Sequence, residues 1–422
     1  MSQNRRGRPQ DTRGKVIPLH PFRRAQNFES HYELGRSFRE QGRLDDAIRE
    51  WQRAAALDRG HLEVRLDLGV VLAEKGQLDQ AVVYFKNALE LDPACTEAHY
   101  YLGLAYFQQD DMEKASQVWS TALRLDPEDW ELRLSLSEAY IELGKYRKSL
   151  KQIDKILKVQ PYYLDALNLR GVIYLHTGDL DRAKQELQAC VQLDPTFPRS
   201  RMNLGVVYMH QGFLDMAILE FRRASRLSPT NPDILYNLGH ALAHRGDQLG
   251  AIKHLTKSLE HEPTMLEGHL LLGTLQLKQG NAEVAIKHFH QALELEPTEP
   301  EALAALGHIY LNLGELELAR QHVDKALQSR GDNPNLHLLM AQILRRCNKL
   351  PRALAHVRKA VKLDPNVAQA QLLLGDLLWE RGMENAAREP WRRAVELDPN
   401  LFPAVQRNQM LETAPESVAA PV

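Results

Sequence analysis

Histidine is the side chain whose spacing in this sequence comes nearest to a chemical site. His176, His210 and His244 follow one another at equal intervals. His240 lies four residues before His244, which is the spacing of half a zinc site on a helix, and His308 adds a fifth imidazole. No cysteine and no second histidine pair completes such a site, so we predict no metal. We interpret these histidines as side chains that line a surface, where protonation between about pH 5 and 8 makes binding pH-sensitive.

Two asparagines, Asn203 and Asn237, are separated by the same interval. An amide side chain can pair with both the N–H and the C=O of a bound peptide, so the pair predicts binding that does not depend on the peptide's sequence. Solvated polar side chains are the alternative interpretation. The motifs GxxxxGK[ST], GxSxG, HExxH and CxxC are absent from the sequence. We therefore expect no enzyme activity and no cofactor.

The interval that separates these side chains is the period of most of the 422-residue chain. The stretch 28–401 divides into eleven repeats of equal length without insertion or deletion. Length alone suggests two or three domains, but repeats that stack on one another form one elongated body. The predicted repeats are 28–61, 62–95, 96–129, 130–163, 164–197, 198–231, 232–265, 266–299, 300–333, 334–367 and 368–401.

The residue types within a repeat predict two helices. Apolar residues at positions 4, 7 and 11 and at positions 20, 24 and 27 have helical spacing, which places helix A at about positions 1–14 and helix B at about positions 16–30. Position 8 is glycine in nine repeats and position 20 is alanine in ten, which lets the two helices approach closely. Position 15 is glycine in nine repeats and Asp110 or Asn348 in the others, so we expect a left-handed turn there. Proline at position 32 ends helix B.

This pattern resembles the tetratricopeptide repeat, W-x2-L-G-x2-Y…A-x3-F…P in a helix–turn–helix of about 34 residues, over 28–401. The resemblance implies an all-α fold, a right-handed α-solenoid or superhelix whose concave wall is lined by the A helices. It also implies that positions 2, 5, 6, 9, 12 and 13 of helix A hold ligands. The expected function is a non-catalytic protein–protein interaction scaffold or adaptor that binds a peptide or amphipathic helix of a partner protein.

These helix A positions become apolar in the middle of the array. An apolar stripe predicts a groove for a peptide or helix, with packing between repeats as the alternative. Position 2 is acidic in eight repeats, which indicates favourable charge at helix N-termini or an acidic row that attracts a basic partner. The predicted groove residues are Tyr100, Tyr101, Leu104, Phe107, Leu169, Val172, His176, Met202, Asn203, Val206, His210, Tyr236, Asn237, His240, His244, Leu270 and His308.

One ligand known in the family is not expected here. Family members that capture the C-terminal carboxylate of a chaperone use lysine, arginine and asparagine on three successive A helices. Around Asn203 this chain has Asn168 and Val172 before, and Asp233 and Asn237 after. Because no basic residue of that clamp is present, and an acidic row repels a carboxylate, we expect no chaperone tail to bind.

The two ends of the chain differ from the repeats. Residues 1–27 carry a net charge of +6 in a chain whose net charge is −2, and we predict a disordered arm. Its positive charge suggests an alternative function, binding to nucleic acid or an anionic membrane. The other interpretation of the arm is a tail that keeps the protein in solution. We predict a capping helix over residues 402–413 and a disordered tail over residues 414–422. The arginines of the arm are Arg5, Arg6, Arg8, Arg13, Arg23 and Arg24.

Composition indicates a cytoplasmic protein. Hydrophobic residues make up 44% and charged residues 26% of the chain, which is ordinary for soluble proteins. No apolar stretch reaches the length of about 18 residues that a membrane span needs, and no apolar core of a signal peptide follows the basic arm. Cys95, Cys190 and Cys347 lie far apart and suggest neither disulfides nor a metal site.

Overall fold

A computed structural model describes residues 28–401 and 403–407, and within these ranges every regular element is a helix. The predicted arm and the residues from 408 onwards lie outside the described residues. None of the described helices has the length and apolar composition to cross a membrane. Twenty-two helices of the described chain follow one another in pairs. They are α1 (Phe28–Glu40), α2 (Leu44–Leu57), α3 (Leu62–Glu74), α4 (Leu78–Leu91), α5 (Thr96–Gln108), α6 (Met112–Leu125), α7 (Trp130–Glu142), α8 (Tyr146–Val159), α9 (Leu164–His176), α10 (Leu180–Leu193), α11 (Pro198–His210), α12 (Leu214–Leu227), α13 (Pro232–Arg245), α14 (Gln248–His261), α15 (Leu266–Lys278), α16 (Ala282–Leu295), α17 (Pro300–Leu313), α18 (Leu316–Ser329), α19 (Pro334–Arg346), α20 (Leu350–Leu363), α21 (Ala368–Glu380) and α22 (Glu384–Leu397).

A left-handed residue joins the A helix to the B helix in each pair. All eleven residues at position 15 have a positive φ, from 56° at Asn348 to 88° at Gly246. An L side chain in this region crowds its own backbone, which glycine avoids and which aspartate and asparagine tolerate best. The turn predicted at position 15 is therefore confirmed, including the exceptions Asp110 and Asn348.

Glycine at position 8 makes room for the large side chain at position 24 of the same pair. A Cβ added to Gly205 would lie 2.6 Å from Cε1 of Phe221, which is closer than real side chains pack. Phe221 and Trp119 are almost completely buried at position 24, and Trp119 Nε1 donates to the backbone oxygen of Tyr100 at 3.1 Å. The close approach predicted for the two helices is confirmed by this packing.

The fourth repeat keeps the same arrangement with serines in place of the small apolar residues. Ser137 and Ser149 occupy positions 8 and 20 and are fully buried. Their hydroxyls donate to the backbone oxygens of Arg133 and Ser137, at 2.7 and 2.9 Å. Because each buried hydroxyl has a partner, the substitution avoids the cost of an unsatisfied polar group.

Position 4 differs from the prediction. It was expected to be apolar, but it is histidine, arginine or glutamine in eight repeats. His269 Nε2 donates to the carbonyl of Pro263 at 3.0 Å, and Gln371 Nε2 donates to that of Pro365 at 2.9 Å. These carbonyls lie beyond the end of the preceding helix B. A polar side chain at position 4 donates a hydrogen bond to the carbonyl, while the part of the side chain nearest its Cα packs between the helices. The same contact joins His99 to Pro93, Arg133 to Pro127, Arg201 to Pro195 and His337 to Gly331.

Helices pack in sequence order within two compact blocks, 1–203 and 204–422. In the first block, α5 packs on α4 and also touches α3; in the second, α15 packs on α14 and also touches α13. Both of these A helices therefore contact the preceding helix B and the preceding helix A. The boundary between the blocks falls inside α11, and the predicted domain limits stay a prediction.

The C-terminal end of the described chain covers the last repeat. Residues 403–407 are helical, and Ala404 is fully buried. Arg407 Nε lies 3.3 Å from Oδ1 of Asp376 on α21. These residues fall within the capping helix predicted over 402–413, which stays a prediction, and its remainder lies outside the described residues.

Candidate functional site

The exposed face of the A helices contains sixteen of the seventeen predicted groove residues. His176, His210, His244 and His308 are exposed. Leu169 is the exception, because it is only 5% exposed and packs with Ile141 and Ile173 in a core cluster. Its assignment to the groove is wrong. The predicted residues that are partly exposed are Tyr100, Tyr101, Leu104, Phe107, Val172, Met202, Asn203, Val206, Tyr236, Asn237, His240 and Leu270.

Aromatic side chains of α5 form a preorganised part of this face. Tyr100 and Tyr101 meet edge to face with ring centroids 5.5 Å apart, and Tyr101 stacks on Phe85 at 5.7 Å. Phe107 lies 5.9 Å from Trp119. Burial raises the pKa of both tyrosine hydroxyls, so both stay neutral at physiological pH. Rigid, partly exposed tyrosines of this kind are effective anchors for a bound chain, since little entropy is lost when they make contact.

Carboxylates dominate the same face in repeats 1–5. At the six ligand positions these repeats have eleven acidic residues against Arg36 and Arg39. Burial raises the pKa of Asp67, and burial together with the charge of Asp67 raises the pKa of Tyr32 to about 12. An incoming cation would stabilise such a surface. The acidic row at position 2 consists of Glu29, Glu63, Glu97, Glu131, Asp165, Asp233, Glu267 and Glu301.

Arg199 replaces the carboxylate at position 2 of repeat 6. Its guanidinium lies 3.5 Å from Glu138 and 4.0 Å from Asp165. Burial nevertheless raises the pKa of Glu138. Within the first block, the acidic row therefore ends at an arginine that is already paired with two of its neighbours.

The asparagines are already bonded within the chain. Asn203 Nδ2 donates to Oδ1 of the buried Asn168 at 3.0 Å, and Asn237 Nδ2 donates to the backbone oxygen of Asp233 at 2.9 Å. A bound peptide must therefore displace these contacts or use the amide oxygens. The peptide-pairing role stays a prediction. It carries the cost of breaking these hydrogen bonds, which the sequence did not indicate.

Histidines of α13 are brought together as their spacing predicts. His240 Nε2 and His244 Nε2 are 3.1 Å apart, and His240 stacks on Tyr236 at 5.9 Å. Burial and the neighbouring His244 lower the pKa of His240. His176 instead stacks on Tyr146 at 5.6 Å. Across the described chain, no group of three or more His, Cys, Asp and Glu side chains is arranged to hold a metal ion.

Comparison with known proteins agrees with this architecture. Models described as "Tetratricopeptide repeat" or "TPR repeat" together match residues 22–129, 134–198, 208–246 and 276–401. The chain belongs to the tetratricopeptide repeat family. Such repeats generally form protein-interaction scaffolds, and the all-α prediction of tandem helix pairs is confirmed.

Two solved structures are similar to this tetratricopeptide repeat protein. One is titled "Crystal structure of APC/C hetero-tetramer Cut9-Hcn1"; it is 14% identical, has a TM-score of 0.48, and the match covers 93% of this chain and 97% of that chain. The other is a tetratricopeptide repeat protein from Parabacteroides merdae ATCC 43184, with 19% identity, a TM-score of 0.46 and coverage of 59% and 98%. No curated protein matches the sequence.

A second histidine row, which the sequence analysis missed, lies at position 23 of helix B in repeats 7–10. His356 Nδ1 lies 3.0 Å from His337 Nδ1, and His337 Nε2 donates to the carbonyl of Gly331. A neutral His337 therefore accepts at Nδ1, and His356 donates. Burial lowers the pKa of all four position 23 rings. The row is His254, His288, His322 and His356, and its spacing of one repeat was the available signal.

Exposed apolar side chains also lie outside the predicted groove. Phe213, Met216 and Leu219 at the start of α12 are 55%, 45% and 40% exposed, and Leu249 at the start of α14 is 75% exposed. The predicted groove residues all lie on helix A, so these side chains at the start of helix B fall outside that prediction.

A cavity of about 880 Å³ lies on the helix A face of repeats 9–11. Leu311 of α17, Gln342 and Arg346 of α19, and Leu373 and Asp376 of α21 are among its lining residues. Its volume is in the range of ligand sites, roughly 300–1,000 Å³. None of these five residues belongs to the predicted groove, because this surface mixes charged, amide and apolar side chains and shows no continuous apolar stripe along one helix.

Proposed function

We propose that this protein is a non-catalytic scaffold that binds an extended peptide or amphipathic helix of a partner protein on the helix A face. The observation that supports this most directly is the aromatic surface of α5. Tyr100 and Tyr101 remain partly exposed although both pack against other rings. Aromatic side chains with this combination of rigidity and access are typical of binding hot spots.

The charge of repeats 1–5 supports a partner segment that contains basic residues. Eleven carboxylates against two arginines at the ligand positions attract lysine and arginine and repel acidic chains. Apolar residues in the partner segment match Tyr100, Tyr101, Leu104 and Phe107. The proposed ligand of this part of the protein is therefore a basic, amphipathic segment.

Quantitative capture of partners from the native cell tests this proposal. We expect Tyr100→Ala with Tyr101→Ala to reduce capture about 30-fold, the factor that corresponds to loss of one strong hot spot. Tyr162→Ala is the matched control, because Tyr162 is 75% exposed in the turn that follows helix B. Circular dichroism must show unchanged helicity in all variants. Undiminished capture by the double variant would rule out this face of α5 as the binding surface.

Asparagine variants test the contribution of the amides. Asn237→Ala removes only a bond to the backbone of its own helix, whereas Asn203→Ala also exposes the buried Asn168. We therefore expect Asn237→Ala to weaken capture without loss of stability. If capture is unchanged, the amide-pairing role is excluded at this position.

A second function rests on the basic arm, which lies outside the described residues. Its charge of +6 supports binding to nucleic acid or anionic membranes. Deletion of residues 1–24 should then abolish salt-sensitive binding to RNA, DNA or anionic vesicles. Retention of that binding after the deletion would exclude the arm as the anchor. For either function, we propose a cytoplasmic location.

A further inference from the structure

The cavity of repeats 9–11 combines apolar walls, amides and charged groups from three successive A helices. Leu311 and Leu373 are nearly buried in its wall, while Asn312, Gln342 and Gln369 supply amide groups. Neighbouring helices lie roughly 10 Å apart, so three of them span about 20 Å. An extended chain advances about 3.3 Å per residue, so the cavity accommodates a segment of about six residues.

Most charges in this cavity are already paired. Arg345 Nε donates to Glu380 at 2.9 Å, and Arg345 Nη1 lies 3.4 Å from Asp376. Asp376 also accepts from Trp391 Nε1 at 3.0 Å and lies near Arg407. The two carboxylates of the cavity are therefore neutralised by arginines on the same face.

Arg346 is the charge that remains. Its Nη1 donates to the backbone oxygen of Leu311 at 2.8 Å, and among the described residues it has no Asp or Glu partner. The bond to Leu311 holds the guanidinium at the cavity wall, while the side chain as a whole is exposed. With one N–H bonded to Leu311, the guanidinium of Arg346 retains several further N–H donors, and their planar arrangement matches the two oxygens of a carboxylate.

We propose that this cavity binds an extended internal segment of a partner protein in which an aspartate or glutamate is flanked by apolar residues. Arg346 of repeat 10 holds the acidic side chain. Asn312 of repeat 9 and Gln369 of repeat 11 lie on either side of it and pair with the backbone. Because amides are present on both sides of the arginine, the chain continues in both directions from the carboxylate. This inference rests on the proposed scaffold function and assigns repeats 9–11 a ligand of opposite charge to that of repeats 1–5.

Peptide pools test this specificity with the full-length protein. The pools are acetylated, amidated hexapeptides with Glu, Gln or Lys fixed at the third residue and Ala, Leu, Val, Ser or Thr elsewhere. A fourth pool has Gln at the third residue and a free C-terminal carboxylate. We measure retention of each pool on the immobilised protein, and of the Glu pool on Arg346→Gln, Arg346→Lys and Arg358→Gln. Arg358 is an exposed arginine of α20 and serves as the matched control.

We expect the Glu pool to be retained about tenfold better than the Gln pool, whereas retention of the Lys pool reports on the acidic repeats 1–5. Arg346→Gln should lower retention of the Glu pool to that of the Gln pool, Arg346→Lys should restore part of it, and Arg358→Gln should have no effect. Equal retention of the Glu and Gln pools, or no effect of Arg346→Gln, overturns the proposal. Retention of the free-carboxylate pool at the level of the Glu pool overturns the side-chain assignment. If one of these outcomes occurs while partner capture still depends on Tyr100 and Tyr101, this inference is refuted and the proposed scaffold function is not.

Discussion

Substitution of alanine for glycine at position 8 tests the packing of the helix pairs, with two repeats as matched cases. A Cβ at Gly205 would lie 2.6, 2.8 and 2.9 Å from three ring carbons of Phe221. A Cβ at Gly273 would lie 3.0, 3.0 and 3.3 Å from the same carbons of Phe289. Glycine occupies position 8 and phenylalanine position 24 in both repeats, so the clearance between them is the variable.

The expected magnitudes follow from two opposing effects. Overpacking costs about 1–3 kcal/mol, and alanine is favoured over glycine inside a helix by about 1 kcal/mol. At Gly205 the ring must move by several tenths of an ångström, so we expect a net loss of about 1–2 kcal/mol. At Gly273 the smaller displacement leaves the two effects nearly equal, and we expect a change of under about 0.5 kcal/mol.

Urea unfolding followed by circular dichroism measures the global effect, and hydrogen exchange of the α12 and α16 amides measures the local one, because repeat arrays open locally. Repeat 10 provides a further check, since it has alanine (Ala341) at position 8 and the smaller valine (Val357) at position 24, both fully buried. In a double-mutant cycle, Gly205→Ala with Phe221→Val should be less destabilised than the sum of the single variants by about 1 kcal/mol. Strict additivity, or a larger loss at Gly273 than at Gly205, would refute this account of the packing.

Three further predictions concern pH, thiol chemistry and the turns. Burial lowers the pKa of His337 and His356, so the unfolded state binds protons at these rings more readily than the folded state does. The melting temperature should therefore fall as pH drops below about 6.5, and it should fall less steeply in His356→Gln. An equal dependence on pH in the two proteins would contradict the role of this pair. Burial raises the pKa of Cys190 to about 11, so a thiol reagent at pH 8 should modify Cys190 only after unfolding, and rapid modification of the native protein would argue against its burial. Asp110 has a φ of 63°, so Asp110→Gly should stabilise the protein by about 0.5–1 kcal/mol in urea unfolding, and destabilisation would mean that the aspartate side chain is needed there.

Local geometry was predictable from the sequence where a residue type occurs at a position for a single physical reason. The turn at position 15 follows from glycine at Gly42 and from aspartate at Asp110, because both are compatible with a left-handed backbone. The pairing of His240 with His244 follows from helical spacing. Both features depend on residues that are near in sequence, where periodicity is a direct guide.

Contacts between repeats were not predictable in the same way. Helical spacing predicts an apolar residue at position 4, but His269 and Gln371 reach carbonyls six residues earlier, beyond a helix end. Leu169 shares helix A with exposed residues and is nevertheless buried in the core. The cavity around Arg346 depends on which charges find partners on adjacent helices, and a hydropathy pattern along one helix contains no information about those partners.

We propose that the helix A face, with Tyr101 in it, binds a segment of a partner protein. Site-specific photocrosslinking tests it most directly, with a benzophenone amino acid placed at Tyr101 in one variant and at the exposed Tyr162 in another. We expect a partner crosslink at Tyr101 that is competed by unmodified protein, and only background crosslinking at Tyr162. A crosslink at Tyr162 with none at Tyr101 would contradict it.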